Sequence, residues 1–185
     1  MNISVNAAPV AVDDTDTITA GASAATGSVT TNDTDSDDNT SDLKVRGVGT
    51  GAEGSSLANK NVGSALSGTY GTFTLNQDGS YSYDVTGNAA TIALADGATA
   101  TDTFSYKVRD DETNAGSKAI DIGTITFTVT GINETVTATD DNITLSTTDG
   151  STTVANGASD AEANDVDGDG AVSYTHLTLP TTSKV

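Results

Sequence analysis

The 185-residue chain has no cysteine and no tryptophan, one histidine, one methionine, two prolines and seven basic residues. Without cysteine there are no disulfide staples and no thiolate nucleophile or soft metal site, although the compartment stays open. With seven Lys and Arg against 26 acids, a net charge of -19 excludes nucleic acid as a partner, since phosphates could not be neutralised. The same imbalance excludes docking on an anionic membrane surface. No apolar run is long enough to span a bilayer, and no basic and apolar leader opens the chain. Direct membrane insertion is therefore not expected. Met1 runs straight into repeat-like sequence, so the start reads as an internal cut. The histidine, His176, lies in an anomalous terminal segment, leaving no acid–base or nucleophile–base constellation for an enzyme. Adjacent carboxylates such as Asp110 and Asp111 could serve a glycosidase in principle, but on a strand-connecting loop they read as metal ligands or turn formers.

Glutamate is scarce too, at Glu53, Glu112, Glu134 and Glu162, so nearly all the negative charge is aspartate. That bias favours loops and ion ligation over helices. Gly, Ser, Thr, Asn and Asp dominate, yet the apolar residues fall into alternating runs, which disordered chains do not show. Tyr81, Tyr83 and Val85 share one face of a strand, as do Phe104, Tyr106 and Val108. Phe73 and Leu75 lead through Asn76-Gln77-Asp78-Gly79 into Tyr81, a hairpin signal. Leu43 and Val45 mark another strand, and Ile18 belongs to the first. Between Ala119 and Val129 the apolar parity changes, which predicts a β-bulge at Gly123-Thr124. No window reads as an amphipathic helix. The expected fold is an all-β, antiparallel sandwich of about seven short strands. The loop Val48–Ser67 is long and glycine-rich, with no role evident from its residues.

An aspartate ladder occurs twice, as Asn32-Asp33-Thr34-Asp35-Ser36-Asp37 and as Asn164-Asp165-Val166-Asp167-Gly168-Asp169. Ala11–Thr19, with its Asp13-Asp14 pair, likewise returns as Ala138–Ser146 with Asp140-Asp141, at an offset of 127 residues. The chain thus reads as a linker from a preceding repeat over 1–10, a complete repeat over 11–134 and the truncated start of another over 135–171. Val172–Thr181 resembles a translated transposase adapter end, so 172–185 is expected to be sequencing read-through.

Strand counting gives the acids a place. If the first strand leaves the N-terminal pole, the ladder between strands two and three lies back at that pole. So does Asp110-Asp111-Glu112, between the last two strands. Asp13 and Asp14 begin there. The last strand exits at the other pole through Asn133 and Glu134, towards Asp140, Asp141, Asp165, Asp167 and Asp169 of the next unit. Converging carboxylates repel one another without a cation, and Ca²⁺ is the hard, oxygen-seeking ion that suits them. Ions shared between one unit and its neighbour would clamp the junction. The EF-hand loop fails as an explanation: His176 and Lys44 stand where its glutamate is required, and Asp38 stands where the first ladder needs glycine. The competing reading of these acids is a solvated, repulsive surface that keeps the chain soluble.

Ala8-Pro9-Val10-Ala11-Val12-Asp13-Asp14, the ladder, Gly71–Tyr83 and Asp102–Val108 together resemble the VCBS repeat, one of the cadherin-like and immunoglobulin-like repeats of giant bacterial surface proteins. The resemblance covers nearly all of 8–171. Asn133-Glu134-Thr135 departs from the Asn-Asp-Ala-Pro usual at the junction. It implies a calcium-stabilised extender in an extracellular or cell-surface adhesin of Gram-negative bacteria, exported by type I secretion and acting in attachment or biofilm. Its partners would be neighbouring repeats, with any glycan or host surface met through other domains. The alternative is a carbohydrate- or protein-binding module with tyrosines as a stacking platform, though core packing explains those tyrosines more economically.

Overall fold

The computed structural model describes residues 6–37, 39–52, 57–110 and 119–133. The chain divides into one compact unit over Met1–Ile132 and another over Asn133–Val185; only Asn133 of the latter is among the described residues.

Among the described residues, eight strands form two four-stranded sheets. They are β1 (Asp14–Thr19), β2 (Ala25–Ser28), β3 (Lys44–Thr50), β4 (Leu66–Ser67), β5 (Thr72–Leu75), β6 (Ser80–Asp84), β7 (Thr99–Arg109) and β8 (Ile120–Thr130). One sheet has the order β1-β8-β7-β3 and the other β2-β6-β5-β4. The only α-helix among the described residues is a single turn, Ala89–Ile92, capped by the Asn88 side chain. The pairing is antiparallel as expected, with one exception: β1 lies parallel to β8, from Asp14↔Ile125 to Thr19↔Thr130. Alternation reports which face a residue takes and carries no information on strand direction.

Between the sheets lie Val29, Val45, Phe73, Leu75, Tyr83, Phe104, Tyr106, Val108, Ile125, Phe127 and Val129, all essentially without exposure. Phe73, Tyr81, Tyr83, Phe104 and Phe127 form one aromatic cluster. Tyr83 stacks on Phe127 at a centroid distance of 4.1 Å, and Phe73 on Phe104 at 4.6 Å. Such pairs add roughly 0.5–1.5 kcal/mol each beyond burial. The hairpin forms as the sequence suggests: Gly79, at φ +88°, donates its N–H to the Asn76 carbonyl and closes the β5–β6 turn.

The bulge does not sit at Gly123-Thr124. Register between β7 and β8 is unbroken there, with Tyr106 opposite Gly123 and Ser105 opposite Thr124. Gly123 occupies the inward phase of β8, leaving Ile122 half-buried and Ile120 exposed on the outer face. A Cβ on Gly123 would come within 2.6 Å of the Tyr106 hydroxyl, so glycine stands where the tyrosine needs room. The register shift lies in β3 between Val45 and Gly47, and it carries the inward phase from Val45 to Val48.

Of the expected Val48–Ser67 loop, Val48–Thr50 belong to β3 and Leu66–Ser67 to β4, while Gly51 and Asn59 lie against the outer face of the first sheet. Ser105 donates to the Gly51 carbonyl at 2.6 Å and the Lys107 ammonium to Asn59 Oδ1 at 3.0 Å. Asn61 donates to the Val48 carbonyl, and Leu57 is buried. These contacts explain why Ser105 and Lys107, on the outward phase of β7, are buried as well.

Candidate metal centre

Three chain segments meet where β1 begins. The backbone of Val10 pairs with that of Thr34 in the ladder, with N···O distances of 2.7 and 3.1 Å. Residues 6–10, expected as a linker, thus run along the ladder loop. Lys44 at the start of β3 lies opposite Arg109 at the end of β7, which brings Asp110 to the same pole.

The individual acids do different work. Asp13 is exposed and its Oδ1 accepts from the Thr124 N–H at 2.8 Å, tying the entry of β1 to β8. Asp14 turns the other way. Its Oδ2 lies 3.0 Å from the Tyr106 hydroxyl, which is also 3.3 Å from Asp33 Oδ1. One phenolic proton cannot satisfy both. Burial, followed by the charge of its neighbour for Asp14 and of Asp121 for Asp33, pushes each carboxyl up to about 6; the tyrosine and the Val12 N–H pull the other way. The Tyr106 hydroxyl is raised far above its ordinary range by burial and by the same two carboxylates.

Asp33, 1% exposed, also takes the Val12 N–H on Oδ1 at 2.8 Å. Asp35 accepts from the Asp37 N–H at 3.2 Å, and exposed Asp37 takes the Ala7 N–H on both oxygens. Asp110, fully buried, accepts from Asn6 at 2.6 Å. Two carboxylate oxygens, Asp33 Oδ2 and Asp110 Oδ1, are buried with no hydrogen-bond partner. A buried, partnerless carboxylate oxygen is costly unless a proton or cation meets it.

This donor set is all oxygen and negatively charged, so in kind it fits a hard cation. Among the described residues no three carboxylates lie close enough to hold a metal ion by themselves. Asp111, Glu112, Glu134, Asp140, Asp141, Asp165, Asp167 and Asp169 lie outside the described residues, and Asn133 ends the described part of the chain.

The sequence reading missed three contributors. Asn6 contacts Asp110, and Asp121 takes the Ala11 N–H at 2.9 Å. The Tyr106 hydroxyl bridges two acids, and a buried tyrosine in an acid-rich chain is a readable sign of such a bond. The pattern recurs, with Tyr81 donating to Asp16 and Tyr83 to Asp102, each at 2.7 Å. Asp102 also takes the Thr69 and Tyr70 N–H groups, so this acid is a structural clamp. With Tyr83 and Tyr106 buried, they offer no stacking platform.

The chain is 38% identical over 69 residues to a calcium-binding lectin, RapA2, of Rhizobium johnstonii, a stretch covering 37% of this chain and 27% of the relative. The chain thus spans little more than a quarter of that relative's length. The profile of the bacterial cadherin-like domain matches residues 6–131, nearly all of the two-sheet unit. With its fold and its sequence in agreement, the chain belongs to the bacterial cadherin-like domain family.

Proposed function

We propose that this chain is a non-catalytic, calcium-stabilised structural extender from a large secreted or cell-surface bacterial adhesin. The observation that carries the reading is the pair of buried, partnerless oxygens, Asp33 Oδ2 and Asp110 Oδ1, at the pole where the chain enters the fold. Asp33, Asp35, Asp37 and Asp110 would contribute ligands, with other oxygen donors completing each shell, and the cation would supply positive charge to groups that otherwise repel. Asp13 serves the β1–β8 tie and Asp14 the tyrosine bridge. β8 ends beside Thr19, at the opposite pole, so successive repeats would stack end to end and share ions at the junction through Asn133, Glu134 and the next unit's acids. Partners are then neighbouring repeats and not nucleic acid, and the setting is extracellular, where millimolar calcium suits sites with Kd of about 10⁻⁴–10⁻³ M. Type I secretion and a part in biofilm follow from the same reading.

A calcium titration followed by thermal melting tests it. Calcium should raise the Tm and a chelator reverse the gain, with Asp33→Asn and Asp110→Asn reducing the response. A Tm indifferent to both reagents refutes the reading. The lectin relative favours a second reading, a carbohydrate-binding module. Retention of ligand on a glycan array, lost on mutating surface residues, would support it.

A further inference from the structure

The outer face of the first sheet carries a grid of threonines. Between β1 and β8 the register sets Thr15 beside Thr126, Thr17 beside Thr128 and Thr19 beside Thr130. Between β8 and β7 it sets the same three residues of β8 beside Thr103, Thr101 and Thr99. Each row is therefore threonine on all three strands. Strand geometry repeats these side chains at ~4.8 Å across the strands and ~6.7 Å along them. The second sheet shows no such order, since exposed Asp84 breaks its outer face opposite Thr72.

Composition alone does not explain the grid, because charge is arranged against the usual rule. Acids ordinarily face solvent. Asp14, Asp16 and Asp102, the charged residues of these same stretches, take the opposite phase and point inward, where Tyr106, Tyr81 and Tyr83 hold them through their hydroxyls. Turning acids inward costs desolvation. What it leaves is an outer face without charge, in a chain of net charge -19. Thr103 and Thr126 share one hydrogen bond, with their Oγ1 atoms 3.2 Å apart. The hydroxyls of the other grid threonines have no hydrogen-bond partner among the described residues, so only solvent meets them.

We propose that this face binds ice. Methyl and hydroxyl groups recur together on a charge-free net, so water ordered over the methyls is anchored by the hydroxyls in a repeating pattern. Hexagonal ice presents its surface oxygens on a rectangular net of nearly the same two spacings. A protein partner fits less well, because the grid spans only ~10 Å by ~13 Å, against the roughly 800 Å² that each side of a stable complex buries. A saccharide platform would need an aromatic ring for stacking, and no position of the grid supplies one. Strand twist of roughly 20–25° between neighbours bounds the matching area, so adsorption by one unit is weak and is best read where it accumulates. This inference is independent of whether the pole binds calcium.

The test is partition of the full chain, in calcium-containing buffer, into slowly grown ice, with serum albumin as the excluded control. Severalfold enrichment in the ice over albumin is expected, together with faceting of single ice crystals. Thr128→Lys, which sets a charge at the centre of the grid, should abolish the enrichment. Thr74→Lys, on the outer face of the second sheet, should leave it intact. If Thr128→Lys fails to fold, Thr101→Lys at an exposed position of β7 reports on the same grid. Exclusion from ice as complete as that of albumin overturns the proposal. So does enrichment that survives the grid substitution, or that is lost equally in Thr74→Lys. Capture on insoluble chitin or cellulose, lost in Thr128→Lys and without enrichment in ice, would assign the face to glycans and overturn the ice reading.

Discussion

Lowering the pH of the calcium-free protein should stabilise it, against the usual expectation for a folded protein entering acid. Asp14 and Asp33 are both raised to about 6 from 3.8. As pH falls through 6 the folded state takes up protons that the unfolded chain does not accept until about 3.8. Stability contributed by these groups is therefore complete below about 4 and is lost as pH rises through 6. For fully buried Asp33 the difference is worth about 3 kcal/mol. Asp14 is partly solvated and shares Tyr106 with it, so about 3 kcal/mol serves for the pair. In a unit of this size that corresponds to roughly 8–12 °C in Tm between pH 7.5 and 4.5. Scanning calorimetry in chelator and 0.3 M NaCl, which screens the general repulsion of the remaining acids, is the assay. At pH 7.5, 10 mM calcium binding with Kd of 10⁻⁴–10⁻³ M should restore about 1.4–2.7 kcal/mol. That gain should shrink at pH 5, where protons compete for the same oxygens. Asp33→Asn keeps an acceptor for the Val12 N–H, removes the charge and should flatten both responses. A chelated Tm that rises from pH 4.5 to 7.5 refutes the electrostatic argument, and pH-independent calcium stabilisation would place the ion elsewhere.

Other outcomes follow from the core. Phe127→Ala opens the centre of the aromatic cluster and should cost about 3–5 kcal/mol in denaturant titrations. Gly123→Ala should cost about 1–3 kcal/mol by overpacking, and Tyr106→Phe should not rescue it, because the new methyl would meet the tyrosine ring carbon at 2.7 Å as well as the hydroxyl at 2.6 Å. Asp102→Ala strips the acceptor from Tyr83, Thr69 and Tyr70 at once and should cost about 2–4 kcal/mol in chemical denaturation, where a surface aspartate would cost little.

Much of this fold is written locally. Tyr81, Tyr83 and Val85 face the core because their alternation matches the pleat, and Asn76–Gly79 closes a hairpin through contacts within a few residues. The pole could be located by counting reversals of direction, which needs no knowledge of pairing. What could not be read was non-local. The sequence of β1 contains nothing that specifies a parallel neighbour more than a hundred residues away. The bulge expected at Gly123 lies in β3 instead, where Val45 gives way to Val48 across charged Arg46. Ile120 and Ile122 misled because apolar residues are common on outer faces. At the pole, one residue type concealed several roles: a strand tie at Asp13, a shared tyrosine proton at Asp14 and Asp33, and unmet oxygens at Asp33 and Asp110. Only side-chain direction separates these, and adjacent positions in a strand point to opposite faces.

The parallel pairing of the first and last strands has a mechanical meaning. Tension applied through the two ends of the unit pulls β1 and β8 past each other along their length. The register from Asp14↔Ile125 to Thr19↔Thr130 is then loaded in shear, with its hydrogen bonds strained together. An antiparallel hairpin pulled at its open end would instead unzip one rung at a time. A domain wired this way yields to force late and abruptly, as the proposed extender role would require.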